Sequence, residues 1–237
     1  MALHIREELR VYVPYLVGEV FTEEDIQLTT RYSAILSAIA SGKVYSSEIS
    51  NYLFSRGLIE KDSPGMISQY LRNLVQMGLI RATPVEGRRR RVFQYRHLSP
   101  ITDFAYYLNE KYGFFEANVD EKRIESMFAE RLPRYMEWFF EDLLARVFGM
   151  QPVKIARPEL EVDIALREHK RIKIVAEIKW KREVDEREVR SIEEKLSKFD
   201  ARRLLIVPTK DVLKRTPENI EVWDWTDILE MCKETSS

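Results

Sequence analysis

Asp163, Glu177 and Lys179 interrupt the apolar runs of ELEVDIALREHKRIKIVAEIKWK, residues 159–181. The two runs, VDIAL and IKIVAEI, read as strands of a β-hairpin either side of the polar REHKR. Charge placed inside strands is costly unless it is paired or ligated. Side chains alternate along a strand, so Ile174, Ala176, Ile178 and Trp180 face one way and Val175, Glu177 and Lys179 the other. On the partner run Val162, Ile164 and Leu166 share a face, which leaves Asp163 with Glu161 and Ala165. One register sets Asp163 beside Glu177, with Lys179 one pleat away. Two carboxylates that close repel each other unless a cation lies between them, and hard oxygen donors favour Mg²⁺ or Mn²⁺. Such a set suits phosphodiester hydrolysis, in which a metal polarises the phosphoryl oxygen and a lysine orients water or neutralises developing charge.

The elements that must position these residues can be read on either side. RYMEWFFEDLLARVFG places Met136, Phe139, Phe140, Leu143, Leu144 and Val147 on one helical stripe. A short strand, VKIAR, precedes the hairpin. A charged helix at 184–199, strands in RRLLIVP and NIEVWDW, and a helix at 226–234 follow. This order predicts a mixed sheet flanked by helices.

Asp163, thirteen residues, then Glu177-Ile178-Lys179 resembles the PD-(D/E)xK motif of the restriction-endonuclease-like nucleases. The resemblance implies an α-β-β-β-α-β core over roughly residues 133–210. It implies metal binding by Asp163, Glu177 and the Ile178 backbone carbonyl, and a catalytic role for Lys179 beside the two acids. Many members add an acid from the first helix, for which Glu141 is the best match. Val162 stands where the motif has proline. The competing reading is that these are ordinary charges on a solvated sheet face, Glu141 included.

Residues 29–100 carry a second pattern. Tyr32, Ile35, Leu36 and Ile39 have helical spacing up to Gly42, a C-cap. A second helix starts from a Ser46/Ser47 cap with Ile49, Tyr52 and Leu53 on one face. A third, after Ser63-Pro64, runs through Met66, Ile67, Tyr70, Leu71, Leu74 and Val75 to Gly78. LIRATPVEGRRRRVFQYRHL then reads as a hairpin turning at Glu86-Gly87. Three helices and a hairpin in this order predict a winged helix-turn-helix. Ser68, Gln69, Arg72 and Asn73 form the polar side of its third helix and could reach base edges. Arg88, Arg89, Arg90 and Arg91 at the turn would contact phosphates. Residues 29–100 hold 11 Lys/Arg against 4 Asp/Glu, while 101–147 hold 6 against 10. A basic module beside an acidic one points to a polyanionic partner; the other use of such a module is to bind protein.

Composition excludes other classes. A single cysteine, Cys232, rules out a disulfide framework and a cysteine-based zinc site, and the three histidines form no paired ligand motif. No apolar run approaches the roughly 20 residues of a membrane span, and the N-terminus lacks a signal-peptide block. The expectation is a cytoplasmic protein with no membrane contact. Charged residues make up 32% of the chain, a balance that leans toward a thermophile.

Taken together, RYSAILSAIASGKVYSSEIS, YLRNLVQMGLIRATPVEGRRRRVFQYR and VDIA with AEIKW resemble the C-terminal region of an archaeal P-loop ATPase family. In that family a winged helix is followed by a PD-(D/E)xK-like domain. Its ATPase domain has no counterpart here: Ser41-Gly42-Lys43 lacks a GxxxxGK[ST] frame. The domain reading is an extension at 1–28 with a helix at 4–12, the winged helix at 29–100, a helical connector at 101–132 and the nuclease-like domain at 133–237. The functional expectation is a DNA-binding protein with a Mg²⁺- or Mn²⁺-dependent deoxyribonuclease domain. The alternative is a non-catalytic regulator or adaptor whose second domain dimerises or binds a partner, such as a separate ATPase.

Overall fold

The computed structural model describes residues 13, 26–155, 157 and 160–234; the helix read at 4–12 lies outside them. The described chain is mixed α/β, with seven α-helices and seven strands. It divides into two compact units, 1–83 with 92–130, and 84–91 with 131–237.

In the first unit, α1 (Ile26–Ala40), α2 (Ser46–Ser55) and α3 (Pro64–Gln76) bury the expected apolar faces: Ile35, Leu36 and Ile39, then Ile49 and Leu53, then Ile67, Leu71 and Leu74. Gly42, at φ 89°, ends α1 in a left-handed turn whose amides bond back to Ile39 and Ala38. Two details differ from the sequence reading. The cap of α2 is Tyr45 rather than a serine, because the Glu48 carboxylate reaches back to accept from the Val44 and Tyr45 amides. Met66 and Val75 are exposed, since they flank the stripe that Ile67, Leu71 and Leu74 bury. Strands β1 (Ile80–Glu86) and β2 (Phe93–His97) are hydrogen-bonded neighbours. Their six-residue connection, 87–92, is too short for a parallel crossover, so they form a hairpin. Helix α4 (Pro100–Tyr112) follows, capped by Ser99 and closed by Gly113 at φ 62°.

The second domain, expected from residue 133, begins close to that position, but inside a helix. Helix α5 (Glu121–Val147) runs unbroken for 27 residues with Pro133 inside it. The boundary between the units falls within this helix, at Glu130/Arg131.

The second unit is three layers. Its strands lie in the order β1 (the Val85–Glu86 end), β3 (Gln151–Ile155), β4 (Ile164–Glu168), β5 (Arg171–Ile178), β6 (Arg202–Ile206) and β7 (Glu221–Trp223). The β3–β4 and β4–β5 pairs are antiparallel, and β1–β3, β5–β6 and β6–β7 are parallel. Period-2 alternation divides the core. Ile164, Leu166, Ile174, Ala176, Ile178, Leu204 and Ile206 pack with Phe140 and Leu144 of α5 and with Ile228 of α7 (Trp225–Glu234). Val153, Ala165, Val175 and Leu205 face the other way, onto Ile192 and Leu196 of α6 (Glu186–Ser197). Phe139, expected on the inner stripe of α5, is exposed: one residue before Phe140 the helix has turned about 100° away.

Candidate functional site

Of the three charges that seemed to interrupt strands, only Glu177 is inside one. Asp163 precedes β4 by one residue, and Lys179 follows the end of β5. All three gather at the carboxyl ends of β5 and β6, where open α/β sheets place their ligands.

The backbone explains how Asp163 is held. The Lys179 N–H bonds across to the Ile206 carbonyl of β6 at 2.9 Å. Successive strand residues direct their amides to alternate edges, so the N–H and C=O of Ile178 face the β4 side. There β4 has not yet begun, and the Asp163 carboxylate takes its place: Oδ2 accepts the Ile178 N–H at 2.7 Å. Because 162–163 precede the strand, the pleat does not extend to them, and Val162 packs with the α6-facing core rather than with Ile164 and Leu166.

Glu177 is 1% exposed and bound by two ammonium groups: Lys179 Nζ at 3.2 Å from Oε2 and Lys195 Nζ of α6 at 2.8 Å from Oε1. Glu141, equally buried, meets Lys154 Nζ of β3 at 2.6 Å, and the same ammonium donates to the Asp163 backbone carbonyl at 3.3 Å. A second acid of α5, Glu137, one turn earlier, feels the Asp163 charge. Burial and then the Asp163 charge push Glu137 up to about 7, against the pull of Lys154, Arg134 and Lys179. Burial and the Glu177 charge likewise raise Asp163, against the Ile178 N–H and the lysines. Burial by itself would lower Lys179, but the Asp163 and Glu177 carboxylates outweigh it and hold the ammonium above the ordinary lysine value.

Glu137, Lys154 and Lys195 escaped the sequence reading. For Glu137 the spacing carried a signal, since it is four residues before Glu141 on the same helix. Lys154 and Lys195 sit in ordinary charged contexts that mark nothing until β3 and α6 are folded against β5.

Among the described residues, no group of three or more His, Cys, Asp or Glu side chains is arranged to hold a metal ion. The donor types do suit a hard divalent cation. Asp163 and Glu177 lie close enough for the charge on Glu177 to raise Asp163, a repulsion that a cation between them would relieve. The Ile178 carbonyl adds a third oxygen on the same strand edge. Two carboxylates and a carbonyl are the ligands Mg²⁺ or Mn²⁺ would choose.

In the first unit, the polar face of α3 is tied into a chain. Arg72 donates to Gln69 Oε1 at 2.6 Å, Gln69 to Asn73 Oδ1 at 2.7 Å, and Asn73 to the Tyr32 hydroxyl at 2.6 Å. Ser68 donates back to the Gly65 carbonyl at 3.0 Å. Gln69 and Arg72 are exposed, whereas Ser68 and Asn73 are half-buried and serve the helix itself. Arg88, Arg89, Arg90 and Arg91 follow Gly87, at φ 83°, and all four are exposed. They belong to the same unit as Asp163 and Glu177.

No described helix is long and apolar enough to cross a membrane. No protein-family model, curated protein or solved structure matches the chain.

Proposed function

We propose that this chain binds DNA and hydrolyses phosphodiester bonds, with Asp163, Glu177 and Lys179 at the reacting centre. The observation that carries the reading is the meeting of these side chains with the Ile178 backbone at one sheet edge, where the Asp163 carboxylate stands in for a strand. It accords with a restriction-endonuclease-like second unit. The helix-hairpin order of the first unit accords with a winged helix, and so with the C-terminal region of the archaeal P-loop ATPases.

In this reading Asp163, Glu177 and the Ile178 carbonyl hold Mg²⁺ or Mn²⁺, which supplies Lewis acidity toward the phosphoryl oxygen. Asp163 is fixed by the Ile178 N–H and needs no reorientation. Lys179 stays charged at neutral pH, so it acts as a cation toward the phosphate and as a donor to water, not as a base. Lys195 keeps Glu177 in place from the α6 side. Gln69 and Arg72 of α3 and the arginine turn supply DNA contacts.

A specific observation favours a second reading, the non-catalytic regulator. Glu141 and Glu177 already hold lysines, so the cluster is also a self-neutralised ion network of the kind that only stabilises a fold. Nicking assays with Mg²⁺ or Mn²⁺ on duplex, single-stranded and branched DNA separate the two. The enzyme reading expects cleavage that Asp163→Ala and Lys179→Ala abolish while DNA binding persists. Wild-type protein that cuts none of these substrates sinks it.

A further inference from the structure

We propose that the Arg88–Arg91 turn is the backbone-phosphate clamp of the second unit, leading a nucleic-acid strand along the sheet edge onto Asp163, Glu177 and Lys179. The inference rests on the phosphodiesterase reading and adds a substrate path to it. The four arginines look from sequence like the tip of a hairpin that serves the helical unit. The strand pairing gives them a different anchor.

The end of β1 runs parallel to β3, with Val85 opposite Lys154 and Glu86 opposite Ile155. β3 in turn pairs antiparallel with β4, with Val153 opposite Ala165. Ile155 ends β3 beside the start of β4, where Lys154 reaches the Asp163 carbonyl at 3.3 Å. Glu86, Ile155 and Asp163 therefore lie at one end of the sheet, and the chain leaves β1 at the same end where the candidate site lies. Two strand spacings separate Glu86 from Asp163, about 10 Å. Along the axis of a duplex that is about three base pairs.

The chemistry of this end of the sheet fits a phosphate backbone. Glu86, the only acid in the 84–91 segment, is ion-paired with Arg167 of β4, so it does not cancel the arginines. Arg167 also holds Gln151 of β3 and so ties the end of β1 to the second unit. Lys154 stands between the turn and Asp163, its charge balanced by Glu141, so no net negative charge is set in the path there. Four exposed guanidinium groups in sequence match the repeating charge of a polynucleotide.

The test maps where the DNA runs without using any intrinsic cleavage. In a Cys232→Ser background, a single cysteine is placed by Arg89→Cys in one protein and by Glu161→Cys, two residues before Asp163, in another. Each carries a tethered iron–EDTA reagent. Each is bound to an end-labelled duplex, and to its single strand, without added divalent cation, after circular dichroism has shown native folding. Arg90→Cys replaces Arg89→Cys if the latter misfolds. The proposal expects the two tethers to cut overlapping sets of nucleotides. Disjoint sets overturn it and leave the phosphodiesterase reading standing. Cutting from the turn with none from position 161, or none from either, overturns both.

Discussion

Asp163 and Ile178 are joined by a side chain where two strands would normally be joined by backbone: Oδ2 accepts the Ile178 N–H at 2.7 Å, just before β4 begins. The bond does two things. It satisfies an amide on the β4 side of β5, and it holds the Asp163 carboxylate at the strand end where the β4–β5 register already directs it toward Glu177.

Removing that acceptor has a structural cost that can be told apart from a functional one. Asp163→Ala leaves the Ile178 amide without its acceptor and should cost about 1–3 kcal/mol of stability. Asp163→Asn keeps an acceptor oxygen in the same place and should cost less. Both should abolish Mg²⁺-dependent nicking. Urea melts and nicking assays on the two variants check this. Retained cleavage in Asp163→Asn would falsify the assignment of Asp163 as a metal ligand.

The Glu141–Lys154 pair is nearly buried on the acid side and partly wetted on the lysine side. Lys154→Met should destabilise by about 2–3 kcal/mol, somewhat less than for a fully dry pair, because a buried carboxylate loses its cation. Adding Glu141→Gln should recover part of that loss. A double-mutant cycle by denaturant unfolding measures the coupling, and a coupling near zero would show that the pair is not what neutralises Glu141.

Glu137 makes the cluster sensitive to pH. Its carboxyl is pushed up to about 7 in the folded chain, mainly by burial, from an ordinary value of 4.5. Between these two values the folded state binds the extra proton, so stability falls as pH rises through that window and the full penalty is present above it. Glu137→Gln should flatten this part of the stability–pH curve and should be more stable than wild type at pH values above the window. Thermal melts across the window read it out; parallel curves for the two proteins would contradict the assignment.

Neutralising the arginine turn should weaken DNA binding in a salt-dependent way. Each phosphate contact contributes about 0.9 to the slope of log affinity against log salt. Replacing Arg88, Arg89, Arg90 and Arg91 together with alanine should therefore lower the slope by about two to four. Fluorescence anisotropy over a salt series measures it. An unchanged slope would mean that the turn touches no phosphates.

Much of the second unit was legible in the sequence because a half-buried strand writes its faces with period 2. The alternation of Ile174, Ala176 and Ile178 against Val175 and Glu177 is the alternation the core displays. The faces of α1 and α2 were legible for the matching reason at period 3.6. The reading went astray where a local rule met a stronger neighbour. Ser46 and Ser47 are good capping residues, but the Glu48 side chain reached the free amides.

What the sequence determined by itself was local: which segments are helix or strand, which faces are apolar, and that Asp163, Glu177 and Lys179 are charges a hairpin could bring together. Tertiary structure decided which other charges join them. Lys154, Lys195 and Glu137 come from a strand and two helices far apart in the chain, and whether their side chains converge depends on sheet order and helix packing, which no local spacing records. The arginine turn is the same case. A run of four arginines announces an affinity for polyanions from sequence alone, but its attachment to the unit that holds Asp163 depends on one short parallel pairing, Val85 with Lys154 and Glu86 with Ile155, between segments about seventy residues apart.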